Sequence, residues 1–110
     1  MEVKSEDKGG IIVLTPIGRV DTSTAKIFED AAIAAANTNK KIVISFKAID
    51  YISSAGLRVV LMLGKKLTAE KGVLVLVDMP DKIFAVFKMS GFDKILKIVS
   101  TFEESKQFFN

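Results

Sequence analysis

The chain has 110 residues, 49% of them apolar, with a formal net charge of +3 and neither cysteine nor histidine. That length suits one domain over residues 1–110 and leaves no room for two, and the apolar share suits a packed core rather than a disordered tail. Without cysteine there are no disulfides, no thiolate catalysis and few routes to a zinc site, a usage that agrees with the cytosol.

The opening stretch Met1–Lys8 alternates charges and lacks an apolar h-region, so no signal peptide is expected. No apolar run approaches the length of a membrane span. A cytoplasmic protein with no membrane partner is the expectation. The lysines are scattered (Lys40, Lys41, Lys65, Lys66, Lys82, Lys94, Lys106) and form no dense basic block with interleaved aromatics. Direct nucleic-acid binding is therefore not expected.

Val3 to Glu6 reads as a short edge strand that ends in the turn signal Asp7-Lys8-Gly9-Gly10. Ile11 to Gly18 reads as its hairpin partner, with Pro16 pointing to an edge position or a bulge. Asp21-Thr22-Ser23-Thr24 offers N-caps. Ala25, Phe28, Ala32 and Ala35 follow at helical spacing, and Asn37-Thr38-Asn39 stops that helix. Lys41 to Phe46 is continuously apolar at its centre, as expected of a strand covered on both faces.

A serine-bearing turn follows, and then a helix with Leu57, Val60, Leu61, Gly64 and Leu67 on one face. Gly64 reads as a point of close backbone approach and Gly72 as the C-cap. Val73 to Val77 is another buried strand. Asp81 to Met89 is a short helix between Pro80 and Gly91. Ile95 to Val99 reads as a last strand, and Thr101 with Glu104 forms a capping-box pattern for a final helix. The order β-β-α-β-α-β-α-β-α predicts an α/β fold, a mixed sheet of about five strands with about four helices and parallel central pairs.

Catalysis finds little support. Strand, serine turn and helix follow the layout of a nucleophile elbow, but Ile52 stands where the preceding glycine is needed and no histidine can act as base. Ser5-Glu6-Asp7-Lys8 has Ser-x-x-Lys spacing, yet a polar hairpin turn explains it better. There is no P-loop and no EF-hand spacing, so neither cofactor nor metal is expected. Asp21, Asp50 and Asp78 are each expected near strand ends, where they could share one rim.

The most informative stretch is Ile52-Ser53-Ser54-Ala55-Gly56-Leu57-Arg58. It sets two hydroxyls at a loop-to-helix junction, where backbone N–H groups are unpaired. Such a junction is prepared to hold a phosphate. The plain alternative is that Ser54 is an N-cap, worth about 1 kcal/mol. Met62 or Leu63 on the same helix could supply apolar contact to a partner, with core packing the more ordinary role.

The string Ile49-Asp50-Tyr51-Ile52-Ser53-Ser54-Ala55-Gly56-Leu57 resembles the signature of the anti-sigma factor antagonists, bacterial members of the STAS domain superfamily. Gly18-Arg19-Val20-Asp21 resembles that family's turn before its first helix, and Ser90-Gly91-Phe92-Asp93 a late turn. The resemblance covers nearly the whole chain and implies a STAS-like fold and a regulatory protein rather than an enzyme. Its implied partners are an anti-sigma factor that is also a serine kinase, bound in the unphosphorylated state, and a PP2C-type phosphatase that reverses phosphorylation.

Aligned on Gly56-Leu57, the resemblance places the phosphoacceptor at Ser54, with Ser53 as the alternative. Ser53 then stands at the family's usual aspartate, Ala55 at its second hydroxyl, and Arg58 where small residues are common. The implied partner surface comprises Asp21, Asp50, Ser53, Ser54 and Arg58. Two other readings stay open: a STAS subunit of a transporter or other signalling complex in which Ser54 is only a helix cap, and a small hydrolase.

Overall fold

The computed structural model describes residues 1–109. Six strands form the sheet: β1 (Glu2–Lys8), β2 (Ile11–Val20), β3 (Lys41–Ser45), β4 (Ile49–Ile52), β5 (Val73–Val77) and β6 (Lys97–Ile98). Among the described residues four α-helices accompany them: α1 (Ala25–Thr38), α2 (Ser54–Ala69), α3 (Asp81–Met89) and, after the last strand, α4 (Phe102–Ser105). The expected order survives, with one strand added. The sheet runs β1-β2-β3-β5-β6, and β4 pairs with β2 off that path. Among the described residues only β1–β2 is antiparallel, as the two-glycine hairpin requires.

The added strand explains Pro16. β2 lies inside the sheet, which overturns the edge reading. Its first part, Ile12 to Leu14, pairs with β3, and its last part, Gly18 to Val20, pairs with β4. Pro16 falls between the two parallel partners, where a missing N–H costs no ladder bond on that side. The register shifts between Gly18 and Arg19, where Gly18 adopts φ +104° and its N–H donates to the Ala48 carbonyl at 2.9 Å. β4 is only the four residues Ile49-Asp50-Tyr51-Ile52, with a polar centre, too short a signal to stand out as a strand beside β3.

Side-chain alternation assigns the apolar strands to two cores. Ile42, Ile44, Leu74 and Leu76 face α1, α2 and α3, where Phe28, Ala32, Leu57, Val60, Leu63, Leu67, Ile83 and Phe87 bury them. Val43, Val75 and Val77 face the other way, under Phe102, Phe108 and Phe109 of the C-terminal segment. The continuous apolar runs of β3 and β5 thus reflect coverage on both faces, as expected. β1, the exposed edge, carries alternating Lys and Glu, which disfavours pairing with another chain.

Helix ends show where local rules yielded to packing. Thr101 caps α4 as expected, its hydroxyl accepting from the Glu104 N–H at 3.1 Å. The C-terminus of α2 differs. Lys71, not Gly72, takes the left-handed conformation, at φ 63°. Gly72 closes the turn by donating its N–H to the Leu67 carbonyl at 2.6 Å. It is glycine for lack of room, since a β-carbon there would lie 2.6 Å from the Lys40 carbonyl oxygen. The last strand shrinks to Lys97–Ile98, because the Ile95 and Leu96 N–H groups donate to the Phe92 carbonyl, closing the 3-10 turn Phe92–Lys94 instead of joining the sheet.

Candidate functional site

The serine junction is built by two strand ends and one helix. β2 and β4 finish side by side at Val20 and Ile52. The Ser53 N–H donates to the Val20 carbonyl at 2.8 Å, which ties the loop to β2. α2 then starts directly above. Gly56 in its first turn is buried, and a β-carbon there would stand 2.6 Å from Val20 Cγ1 and 2.7 Å from Ile52 Cγ1. Glycine lets the helix settle onto both strands. The expected close approach at Gly64 is not the tight one, because a β-carbon there would meet Leu96 Cδ2 at an ordinary 3.4 Å.

The two serines have different jobs. Ser53 is the N-cap of α2: its backbone is extended (φ −92°, ψ 174°) and its hydroxyl accepts a long hydrogen bond from the Gly56 N–H at 3.4 Å. Ser54 is the first residue inside the helix. This corrects the reading of Ser54 as a cap. Ser54 is exposed, and among the described residues its hydroxyl has no hydrogen-bond partner. The N–H groups of Ser54 and Ala55 have no intrahelical acceptor, so the helix start beside Ser54 offers free donors and the positive end of the dipole. Arg58 is exposed four residues on, which puts it on the Ser54 face of α2.

Asp21 lies beside this junction, at the end of β2. Its Oδ1 accepts from the Ser23 hydroxyl at 2.7 Å, the Ser23 N–H at 2.9 Å and the Thr24 N–H at 3.1 Å. The Ser23 hydroxyl is the largest cause holding this carboxyl below its ordinary pKa. Oδ2 lies 3.7 Å from Arg19 Nε. Asp21 therefore organises the turn that starts α1 while keeping its charge at the surface.

Asp50 is exposed within β4 rather than at its end, and Asp78 accepts from the buried Ser45 hydroxyl at 2.8 Å. The expected shared rim of Asp21, Asp50 and Asp78 does not form a cluster. Among the described residues no group of three or more candidate metal ligands exists. Of the two apolar candidates on α2, Leu63 is fully buried in the core, while Met62 stays partly exposed. Met62 lines an open groove of about 410 Å³ between α1 and α2 with Thr22, Ala25, Glu29, Ala55, Arg58 and Val59.

Sequence reasoning missed Tyr51 and Arg19. Tyr51 is 41% exposed, and the Arg19 guanidinium stacks over its ring at 4.3 Å. The pair stands on neighbouring strands, β4 and β2, one residue from Asp50 and two from Asp21. The available signal was the pattern Ile49-Asp50-Tyr51-Ile52, whose two isoleucines are buried while the two residues between them are exposed. An exposed aromatic held by an arginine is the composition of an interface anchor.

Comparison with known proteins agrees with this architecture. The family model described as STAS domain matches residues 2–105. A Bordetella bronchiseptica protein, named as a candidate anti-sigma factor antagonist, BtrV, is 31% identical over 110 residues, spanning 99% of this chain and 95% of the relative. The crystal structure of a candidate anti-sigma factor antagonist of Thermotoga maritima superposes with TM-score 0.89 at 20% identity, over 96% of this chain and 92% of that one. The Bacillus cell fate determinant SpoIIAA, in its phosphorylated form, superposes with TM-score 0.73 at 20% identity, over 99% and 100%. At those identities the two structures speak for the fold. No helix among the described residues is long and apolar enough to cross a membrane. With the family match running over nearly the whole described length, the chain belongs to the STAS domain family.

Proposed function

We propose that this protein is an anti-sigma factor antagonist, a regulatory binding protein rather than an enzyme, switched by phosphorylation of Ser54. Unphosphorylated, it binds an anti-sigma factor that is also a serine kinase. Phosphate on Ser54 releases it, and a PP2C-type phosphatase restores it. The observation that carries the reading is the division of labour at the junction: Ser53 is engaged as the cap, while the Ser54 hydroxyl is exposed and unbonded at the helix start. The name of the Bordetella relative supports the same role, and phosphorylated SpoIIAA shows that a protein of this fold carries phosphate.

Physics indicates a binding switch without a fold switch. A phosphate adds about −1.5 to −2 charges at neutral pH. At the first helical position it meets free N–H groups, the positive end of the dipole and Arg58 one turn on. The domain tolerates it. A partner fitted to a neutral hydroxyl does not, because it must desolvate and accommodate a dianion. Asp21, Asp50, Tyr51, Ser53 and Arg58 frame the surface on which this happens.

The test is calorimetric titration of the purified cognate anti-sigma factor against wild type and Ser54→Asp, with circular dichroism alongside. The expected result is an unchanged spectrum, no loss of thermal stability and affinity weakened by about a hundredfold or more, or roughly 2.7 kcal/mol. Normal affinity for the Asp variant would overturn the switch.

A further inference from the structure

The far end of α2 carries a second feature. A groove of about 410 Å³ runs between the C-terminal half of α2, the start of β5 and the approach to β6. Counting along the helix, Thr68 in its wall lies about 20 Å from Ser54, at 1.5 Å per residue. The floor is apolar: Leu61, Leu74 and Leu96, with Ile95 left 65% exposed. Gly64 keeps the wall low, since a β-carbon would meet only Leu96 and Leu74 side chains at 3.4 and 3.7 Å.

The charge on the rim is one-sided. Lys65 and Lys97 line the groove, and no acidic residue does. Neither lysine is in an ion pair among the described residues. Glu70, the acid at the end of α2, is already engaged by Lys40 and Lys66. An apolar trough of this volume falls in the range of small-molecule sites. Two unpaired lysines and no acid on its lining favour an anionic ligand, and the leucine floor suits a hydrocarbon tail.

We propose that this groove binds a long-chain acyl anion, with its carboxylate at Lys65 and Lys97 and its alkyl chain along Leu61, Leu74 and Ile95. Each methylene that becomes buried strengthens binding by up to about fourfold, so affinity rises with chain length, and the two lysines set the preference for anionic heads. The site is independent of Ser54 chemistry.

The experiment is an NMR titration of the ¹⁵N-labelled protein with decanoate below its micellar concentration. Decyltrimethylammonium (the same tail with the opposite charge) and acetate (the charge without the tail) serve as comparators. Decanoate is expected to shift the amides of Gly64, Thr68, Gly72, Leu74 and Leu96 saturably, and both comparators to bind at least about tenfold more weakly. The double variant Lys65→Glu, Lys97→Glu should weaken decanoate by about tenfold or more, and Ala69→Trp should block it with the spectrum of the remaining core unchanged. Equal binding of decyltrimethylammonium, shifts spread over other surfaces, or none at all would overturn the proposal. So would saturable shifts at these residues from a glutamate-rich amphipathic peptide but not from decanoate, which would give the groove to a protein segment.

Discussion

Two glycines in α2 should respond to the same substitution with opposite signs. In a helix, alanine is favoured over glycine by about 0.8–1.0 kcal/mol. At Gly64 that gain stands nearly alone, because the new methyl group would sit at ordinary contact distance from Leu96. Gly64→Ala should stabilise the protein by about 0.5–1 kcal/mol. At Gly56 the methyl group would lie 2.6 Å from Val20 Cγ1, 2.7 Å from Ile52 Cγ1 and 3.2 Å from Val20 Cβ. Val20 is fully buried and Ile52 is 3% exposed, so neither can swing into solvent. Overpacking costs about 1–3 kcal/mol, and two contacts under 3.0 Å with buried neighbours put Gly56→Ala in the upper part of that range, about 2–3 kcal/mol. After the propensity gain, a net loss of about 1–2 kcal/mol remains.

The unfolding entropy of a chain of this length is about 0.23 kcal/mol/K, at about 2.1 cal/mol/K per residue, so each kcal/mol moves Tm by about 4 °C. Differential scanning calorimetry should therefore show Gly56→Ala melting about 4–8 °C below wild type and Gly64→Ala about 2–4 °C above it. A Gly56→Ala variant melting at or above wild type would refute the claim that close packing of α2 on Val20 and Ile52 positions the serine junction.

Lys71 is a non-glycine residue at φ 63°. Relieving its left-handed strain in Lys71→Gly should raise stability by about 0.5–1 kcal/mol after the entropy cost of glycine, read by urea denaturation. Glu70 is held down from its ordinary 4.5 to about 2, first by the hydrogen bond from Lys40 and then by that from Lys66. A carboxyl depressed in the folded state stabilises fully above its unfolded value, and its contribution fades as pH falls from about 4.5 to about 2. Glu70→Gln should flatten that part of the Tm–pH curve without altering its neutral shape. Tyr51→Ala should lower the melting temperature by only about 4–8 °C, the loss of one partly buried ring stacked by Arg19, and should weaken binding of the anti-sigma factor by about tenfold or more in calorimetric titration.

Much of the fold was readable because two periodicities are clean. Phe28, Ala32 and Ala35 keep helical spacing, and the runs at Ile42–Ile44 and Val73–Val77 match strands buried on both faces. The misses share a cause: tertiary partners that local sequence does not display. Pro16 suggested an edge because one chain segment cannot reveal that β2 changes neighbours halfway. Gly72 suggested a left-handed cap because sequence cannot show that the Lys40 carbonyl crowds it while Lys71 carries the strain. At the site, the serine string was legible, but which serine caps and which is free depended on where the extended backbone ends. Tyr51 and Arg19 went unnoticed because their stacking joins two strands separated by a helix and a strand in sequence.

Peptide mass spectrometry on protein isolated from its native cell, set beside Ser54→Ala, tests the central claim most directly. The account predicts a single phosphate on Ser54 that is absent from the Ala variant, with Ser53 unmodified because its hydroxyl is committed to the cap. Phosphate on Ser53 alone, or none under any growth condition, would contradict it.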